Sequence, residues 1–343
     1  MRAGRRAGLI VALVCAVFPV LAAGCAASSG SGSQLVVYSG QHPQTSAALV
    51  AAFERSTGIR VTVRNSDEAV LANQIKVEGS RSPADVFYTE NSSPLEAIAN
   101  RNLLVTLPSS ILSRVPAKYS SPSGSWVGVT ARYSVMAYST SALHRSELPG
   151  SILDLASPRW KGKLGLAPTE TDFQPVVASV AHTYGVKRAL AWLEGLKANA
   201  GSHLYPSSED LLAAIDRGAV DLGIVNQYYW YREAQQVGRS AMHSAIAPFS
   251  PMDAGYVESV SGAGVLRASH NRAAAERFVA FLVSDQGQTI IAHSSSFEYP
   301  LVPGISPPAG EPAKSSLSPN DFGVAELGSG AVALTLLQEA QLL

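Results

Sequence analysis

Short apolar runs alternate with amphipathic stretches along most of the chain, and the alternation starts only after a polar segment that ends near residue 33. The runs 35–38, 61–63 and 84–88 are brief, apolar and rich in β-branched or aromatic residues, which predicts strands. Between them, 45–56 and 68–78 repeat their apolar residues at helical spacing. Ser56-Thr57-Gly58 closes the first helix and Gly79-Ser80-Arg81-Ser82-Pro83 the second, with residues that do not continue a helix comfortably. Residues 126–138 are long and β-prone enough to pass from one lobe to another, and 255–266 has the same quality. Between these crossings lie a strand at 164–166, helices at 174–184, 187–197 and 208–216, and a strand at 222–225. The pattern predicts one α/β domain inserted into another, joined by two hinge crossings that let the lobes close over a ligand. A helix at 272–283 and the segment 285–293 return to the first lobe, and Pro307, Pro308 and Pro312 form a stiff connector to a last helix at 332–342. The expected bodies are lobe 1, 34–134 plus 259–309, and lobe 2, 135–258 plus 310–343.

The apolar run nearest to membrane-spanning length, 9–20, changes the picture at the N-terminus. It follows Arg2, Arg5 and Arg6 and closes with Leu21-Ala22-Ala23-Gly24-Cys25, the layout of a targeting segment over residues 1–24. Those last five residues resemble a bacterial lipobox, which implies a diacylglyceryl group on Cys25 and cleavage just before it. Residues 25–33, small and polar, then read as a flexible tether to a body held at the outer face of the bacterial cytoplasmic membrane by its lipid. With Cys15 removed, Cys25 has no partner and no internal disulfide is expected. The 26 basic residues balance 26 acids, and loss of three arginines leaves 23 against 26, a net charge of −3. No electrostatic basis for nucleic-acid binding remains. An apolar share of 46% with 15% charged residues excludes a disordered acidic chain, and a single long apolar run excludes a multi-span membrane protein.

Common catalytic signatures are missing: the chain has no G-x-S-x-G, H-E-x-x-H or C-x-x-C, and Lys161-Gly162-Lys163 lacks the rest of a P-loop. The reading is therefore a binding protein and not an enzyme; a metal-dependent hydrolase would have only Glu170 or Asp172 as its base. His144, His182, His203, His243, His270 and His293 read as surface or loop histidines. His42 differs, because it stands in Ser39-Gly40-Gln41-His42-Pro43, a loop that leaves a strand and opens a helix. Glu90 follows 84–88 in the same way, and Tyr228 and Tyr229 follow 222–225. Ligands of open α/β sheets bind at such carboxyl ends of strands. An imidazole, a carboxylate and two phenols, without a thiolate, suit a hard cation, and only a strong Lewis acid readily displaces a phenol proton whose ordinary pKa is near 10. Iron(III) fits best, its three charges matched by Glu90, Tyr228 and Tyr229 beside neutral His42. Taken singly, the tyrosine run also suits a core or sheet surface, and the glutamate a helix cap.

The surrounding text resembles the bacterial periplasmic ferric-ion-binding proteins, the receptors of iron(III) ABC importers. The likeness runs from about residue 35 to 303 and rests on Val37-Tyr38-Ser39-Gly40-Gln41-His42, on 78–90, on Asn226-Gln227-Tyr228-Tyr229-Trp230 and on Glu298-Tyr299-Pro300-Leu301. Ser261-Gly262-Ala263-Gly264 is similar to the family's return segment. The resemblance implies a two-lobed, transferrin-like, type II periplasmic-binding-protein fold, with His42, Glu90, Tyr228 and Tyr229 as iron ligands and a monomer that serves an ABC permease. Arg132 and Tyr133, near the hinge, would support the ligands. Many members also hold a small anion such as phosphate with a Ser-Gly-Ala turn, where this chain has Thr169-Glu170-Thr171-Asp172-Phe173. Thr171, Asn91 and Asn226 remain as possible anion donors, but the two acids would repel an anion. Asp172, or failing it Glu170, is expected to replace the anion, unless Asp172 only caps the helix that follows. Alternative cargoes are a small organic anion or an iron chelate, and an iron-sensing receptor is the alternative role.

Overall fold

The computed structural model describes residues 34–343; the expected targeting segment, Cys25 and the tether lie outside the described residues. The first unit runs β1 (Leu35–Ser39), α1 (Pro43–Thr57), β2 (Val61–Asn65), α2 (Glu68–Glu78), β3 (Val86–Thr89) and α3 (Ser92–Ala99). Local chemistry fixes its helix ends. Pro43 opens α1, where its missing N–H costs no hydrogen bond, and Gly58 closes it at φ +71°. Asp67 caps α2 by accepting from the Ala69 and Val70 amides at 2.9 and 3.0 Å. After the short α4 (Ser109–Leu112) comes β4 (Val127–Ser139), whose 13 residues are all buried.

Strand β4 joins two regions of sheet. Its first part, up to Tyr133, pairs antiparallel with β8 (Glu258–Val265); its second part, Ser134 onward, pairs with β6 (Leu222–Asn226) and β7 (Ser244–Ala247). At about 3.3 Å per residue a strand this long spans roughly 40 Å, enough to run through both lobes. On the far side of β8 the order is β3, β1, β2, with β1 parallel to both neighbours. Beyond β6 lies β5 (Leu164–Gly165), parallel to it.

Helices α5 (Phe173–Tyr184), α6 (Val186–Ala200) and α7 (Ser208–Asp216) precede β6, and α8 (Gln227–Val237) follows it directly. Helices α9 (Arg272–Leu282) and α10 (Asp285–Ala292) lead to β9 (Tyr299–Pro300), which pairs with β4. The chain then passes through α11 (Val324–Leu327) to α12 (Ala331–Glu339), which packs on α5 and α6. One apolar core extends through most of the protein. A smaller one, in which Leu211, Leu212 and Ile215 of α7 meet Val135 of β4 and Val225 of β6, lies under Tyr228 and Tyr229 and fixes their bases. Most predicted elements agree with these bounds to within a few residues. The pattern missed α3, α4, α8, α11, β7 and β9: most of these are too short to signal an element, and α8 is polar on balance.

Among the described residues, no helix is long and apolar enough to cross a membrane.

Candidate functional site

Four helix beginnings converge on one point, and each brings a side chain that the sequence singled out. His42 is the residue before α1, Glu90 lies between β3 and α3, Asp172 precedes α5, and Tyr228 and Tyr229 form the first turn of α8. The partial positive charge of helix N-termini favours anionic oxygens at such a place. Gly40 makes the convergence possible, since a Cβ there would sit 2.5 Å from the Glu68 Cβ and 2.9 Å from its Cα. The approach lets the buried Glu68 carboxylate accept from the Glu90 and Asn91 amides, both at 2.8 Å, and from Asn91 Nδ2 at 2.9 Å, which sets the 90–91 turn.

The donor atoms form a continuous run. His42 Nε2 is 3.2 Å from Glu90 Oε1, which is 2.9 Å from Tyr228 Oη. Tyr228 Oη is in turn 2.9 Å from Asp172 Oδ2, and that oxygen is 3.0 Å from Tyr229 Oη. Neighbouring donors in a six-coordinate shell with bonds of about 2.1 Å stand about 3.0 Å apart, so the spacing suits a single small hard cation. Tyr228 and Tyr229 lie ring on ring, their centroids 4.1 Å apart, and the His42 ring meets Tyr228 edge-on.

Protons occupy the set in a definite way. Tyr228 has one hydroxyl proton to share between two carboxyl oxygens at 2.9 Å. Of the two carboxyls Glu90 holds its proton the more firmly: burial, reinforced by the charge of Asp172, drives it well above the usual range. Burial pushes Asp172 the same way, but Arg132 and the hydrogen bonds from Asn91, Tyr228 and Tyr229 outweigh it and hold Asp172 below its ordinary value. Burial and the two acids raise both phenols. Burial, helped by Arg232 and Arg132, lowers His42 to about 3, leaving the neutral imidazole a metal requires. Its Nε2 makes no well-aligned hydrogen bond and remains available.

Arg132 holds the arrangement from below. Fully buried on β4, it pairs with Glu298 Oε1 through Nη1 at 2.8 Å, places Nε 3.5 Å from Asp172 Oδ1, and donates through Nη2 to the Glu90 carbonyl. Burial disfavours its charge, yet Asp172, Glu90 and Glu298 together make it harder to deprotonate than a free arginine. Glu298 lies close enough to His42 and Glu90 to count as a third ligand, but Arg132 and Gln41 (3.0 Å) engage both its oxygens. Tyr133 turns the other way, its hydroxyl 2.7 Å from Glu258.

The remaining candidates divide. Asp172 stands at the N-cap position of α5 without making a capping bond; its oxygens go to Asn91, Tyr228 and Tyr229. Glu170 faces the Ser208 amide at 3.2 Å and stays outside the run of donors. Thr171 takes a long 3.4 Å bond from Asn91, while Asn226 Nδ2 and Asn91 Oδ1 are buried without partners. Sequence reasoning did not single out Glu68 or Glu298 as site residues. Glu68 opens a helix with no signal of its own, and Glu298 belongs to one of the pieces that carry the family likeness without being read as a site residue.

Residues 35–294 match the profile described as bacterial extracellular solute-binding protein. The chain is 36% identical over 319 residues to the Fe(3+)-binding periplasmic protein of Serratia marcescens, covering 93% of each. It is 36% identical over 290 residues to the major ferric iron-binding protein of Neisseria meningitidis serogroup B, covering 84% of this chain and 87% of the relative. The crystal structure of iron-bound HitA from Pseudomonas aeruginosa superposes with a TM-score of 0.85 at 37% identity, over 90% of this chain and 99% of that one. The chain therefore belongs to the bacterial extracellular solute-binding proteins, in their periplasmic ferric-ion-binding group, and its two-lobed α/β fold is the type II fold of that group.

Proposed function

We propose that this protein captures iron(III) outside the cytoplasmic membrane and delivers it to the permease of an ABC importer, performing no catalysis on it. The observation that carries the reading is the unbroken run of five donor atoms, His42, Glu90, Tyr228, Asp172 and Tyr229, at spacings of 2.9–3.2 Å. Lobe 1, 34–134 plus 259–309, supplies His42 and Glu90; lobe 2, 135–258 plus 310–343, supplies the other three, so the ion bridges the cleft and favours closure. Once ionised, Glu90, Asp172 and the two phenolates carry four negative charges, and Arg132 beside Asp172 offsets the one that iron(III) does not. Asp172 takes the place of an exogenous anion. A lipid on Cys25 keeps the protein beside its permease. Protonation of the phenolates, reduction to iron(II) or separation of the lobes would each weaken the site and release the ion.

The test is a visible absorption titration of the purified protein with ferric citrate, run beside Tyr228→Phe and Tyr229→Phe. A phenolate-to-iron band that either substitution weakens or shifts is the expected result. Identical featureless spectra for all three proteins would exclude iron(III) as the cargo of this site.

A further inference from the structure

β4 and the chain that follows β9 border a cavity of about 240 Å³ whose lining contains none of the five donors. Its size suits a ligand smaller than a drug-sized molecule. Tyr133, Tyr231, Tyr256 and Tyr299 form its walls. Tyr133 meets Tyr256 and Tyr299 edge-on, with centroids 6.0 and 5.2 Å apart, so the walls fix one another's orientation. The electron-rich faces of such rings attract ammonium groups.

One polar group in this lining has an unmet bonding capacity. Glu311 is 9% exposed, and its Oε1 is buried with no hydrogen-bond partner. Its Oε2 receives a 3.4 Å bond from Gln227 Nε2. The Tyr299 hydroxyl borders the same carboxyl and favours its charged form, while its aligned bond goes to the Pro312 carbonyl at 3.0 Å. A buried acceptor left in this state costs about 1–3 kcal/mol unless something donates to it. At the exposed rim stands Arg145. Arg239, the other nearby cation, donates to the Gly310 carbonyl at 3.1 Å and lies over the Tyr231 ring at 5.4 Å. The lining thus offers an acceptor on one side, aromatic faces between, and a guanidinium at the mouth.

We infer that this cavity is a second ligand site, shaped for a small zwitterion of the amino-acid type, with its ammonium group on Glu311, its apolar body among the tyrosines and its carboxylate towards Arg145. Burial raises the Glu311 carboxyl to about 8, and an ammonium partner would restore its charge. The site is also linked to the donor residues. Gln227, which bonds Glu311, accepts from the Tyr133 amide of β4 at 2.7 Å and immediately precedes Tyr228.

The test is calorimetry on the iron-free purified protein with three probes, phenylalanine, phenethylamine and 3-phenylpropionate. Phenylalanine is expected to bind one-to-one and phenethylamine more weakly, with phenylpropionate giving no saturable heat. Glu311→Gln should weaken phenylalanine by about 30-fold or more, as loss of one partner of a buried charge pair does. Arg145→Met, at an exposed position that does not threaten folding, should bring phenylalanine down to the level of phenethylamine and leave phenethylamine unchanged. Absence of saturable heat from every probe, phenylpropionate binding as tightly as phenylalanine, or no effect of either substitution on phenylalanine overturns the inference.

Discussion

Substitution of Asp172 by alanine separates an internal acid that serves as a ligand from one that is only a structural neighbour. The Asp172 carboxylate accepts from Asn91, Tyr228 and Tyr229 at 2.9–3.0 Å and lies 3.5 Å from Arg132. Three of these four groups keep another partner after its removal: Asn91 keeps Glu68, Tyr228 keeps Glu90, and Arg132 keeps Glu298. Only the Tyr229 hydroxyl loses its sole acceptor, so the loss of stability should be about 1–3 kcal/mol and the fold should survive. Iron binding should suffer far more, because the variant lacks one of five donors and a full negative charge beside a trivalent ion. Losing even a residue that merely supports a metal ligand typically costs 10–100-fold, so the fall should exceed about 100-fold, or roughly 2.7 kcal/mol. Arg132 and the N-terminus of α5 would then face the vacated space and attract an anion. Competition against citrate, followed at the visible band with and without saturating phosphate, reads both effects. The expected outcome is an anion-independent parent and a phosphate-dependent variant. A variant within about threefold of the parent, where a lost ligand demands far more, or a parent that itself requires phosphate, would refute the reasoning.

Three further outcomes follow from the same geometry. Since Glu90, Tyr228 and Tyr229 all hold their protons above the ordinary range while His42 and Asp172 hold none near neutrality, loading should release about three protons, and affinity should rise with pH and be lost as pH falls. Indicator titration in weak buffer, corrected for the chelator, measures this; release of one proton or fewer would contradict the assignment. Arg132→Met leaves Asp172 and Glu298 buried without their countercharge and should destabilise the protein by about 3–5 kcal/mol in denaturant unfolding, and an unchanged midpoint would show that the pair is not buried as described. Gly40→Ala pushes a methyl group against the Glu68 backbone, which should cost about 1–3 kcal/mol and lower iron affinity by displacing the 90–91 turn; unchanged affinity in a destabilised variant would separate Glu68 from the site.

The pattern of apolar positions carried much of the fold. Residues 68–78 and 208–216 were legible to the residue from the helical spacing of their apolar positions, and in the structure Asp67 and Ser207 cap them. Strand β4 was legible as a crossing because 13 residues rich in β-branched and aromatic side chains exceed what one lobe needs. Helix α8 was not, although it carries the tyrosines, because it is polar on balance, with glutamines and charged residues over most of its length and only Tyr228, Tyr229 and Ala234 as buried apolar positions. Of the site, His42, Glu90, Tyr228 and Tyr229 were legible by their places just after strands, and the structure brings all four together.

What the sequence alone determined was the order of elements and which side chains stand at strand ends, since both depend on local propensity and on spacing along the chain. Only the tertiary structure decided what the acids do. Asp67 and Asp172 occupy the same position before a helix, yet Asp67 accepts from its own helix and Asp172 turns to Asn91, Tyr228 and Tyr229. Glu68 and Glu298, neither read as a site residue, become buried supports through Asn91, Gln41 and Arg132. A carboxylate takes the best donors within reach once water is excluded. For these residues the donors come from elements up to 257 positions away in the chain, so packing and not neighbouring sequence sets their role.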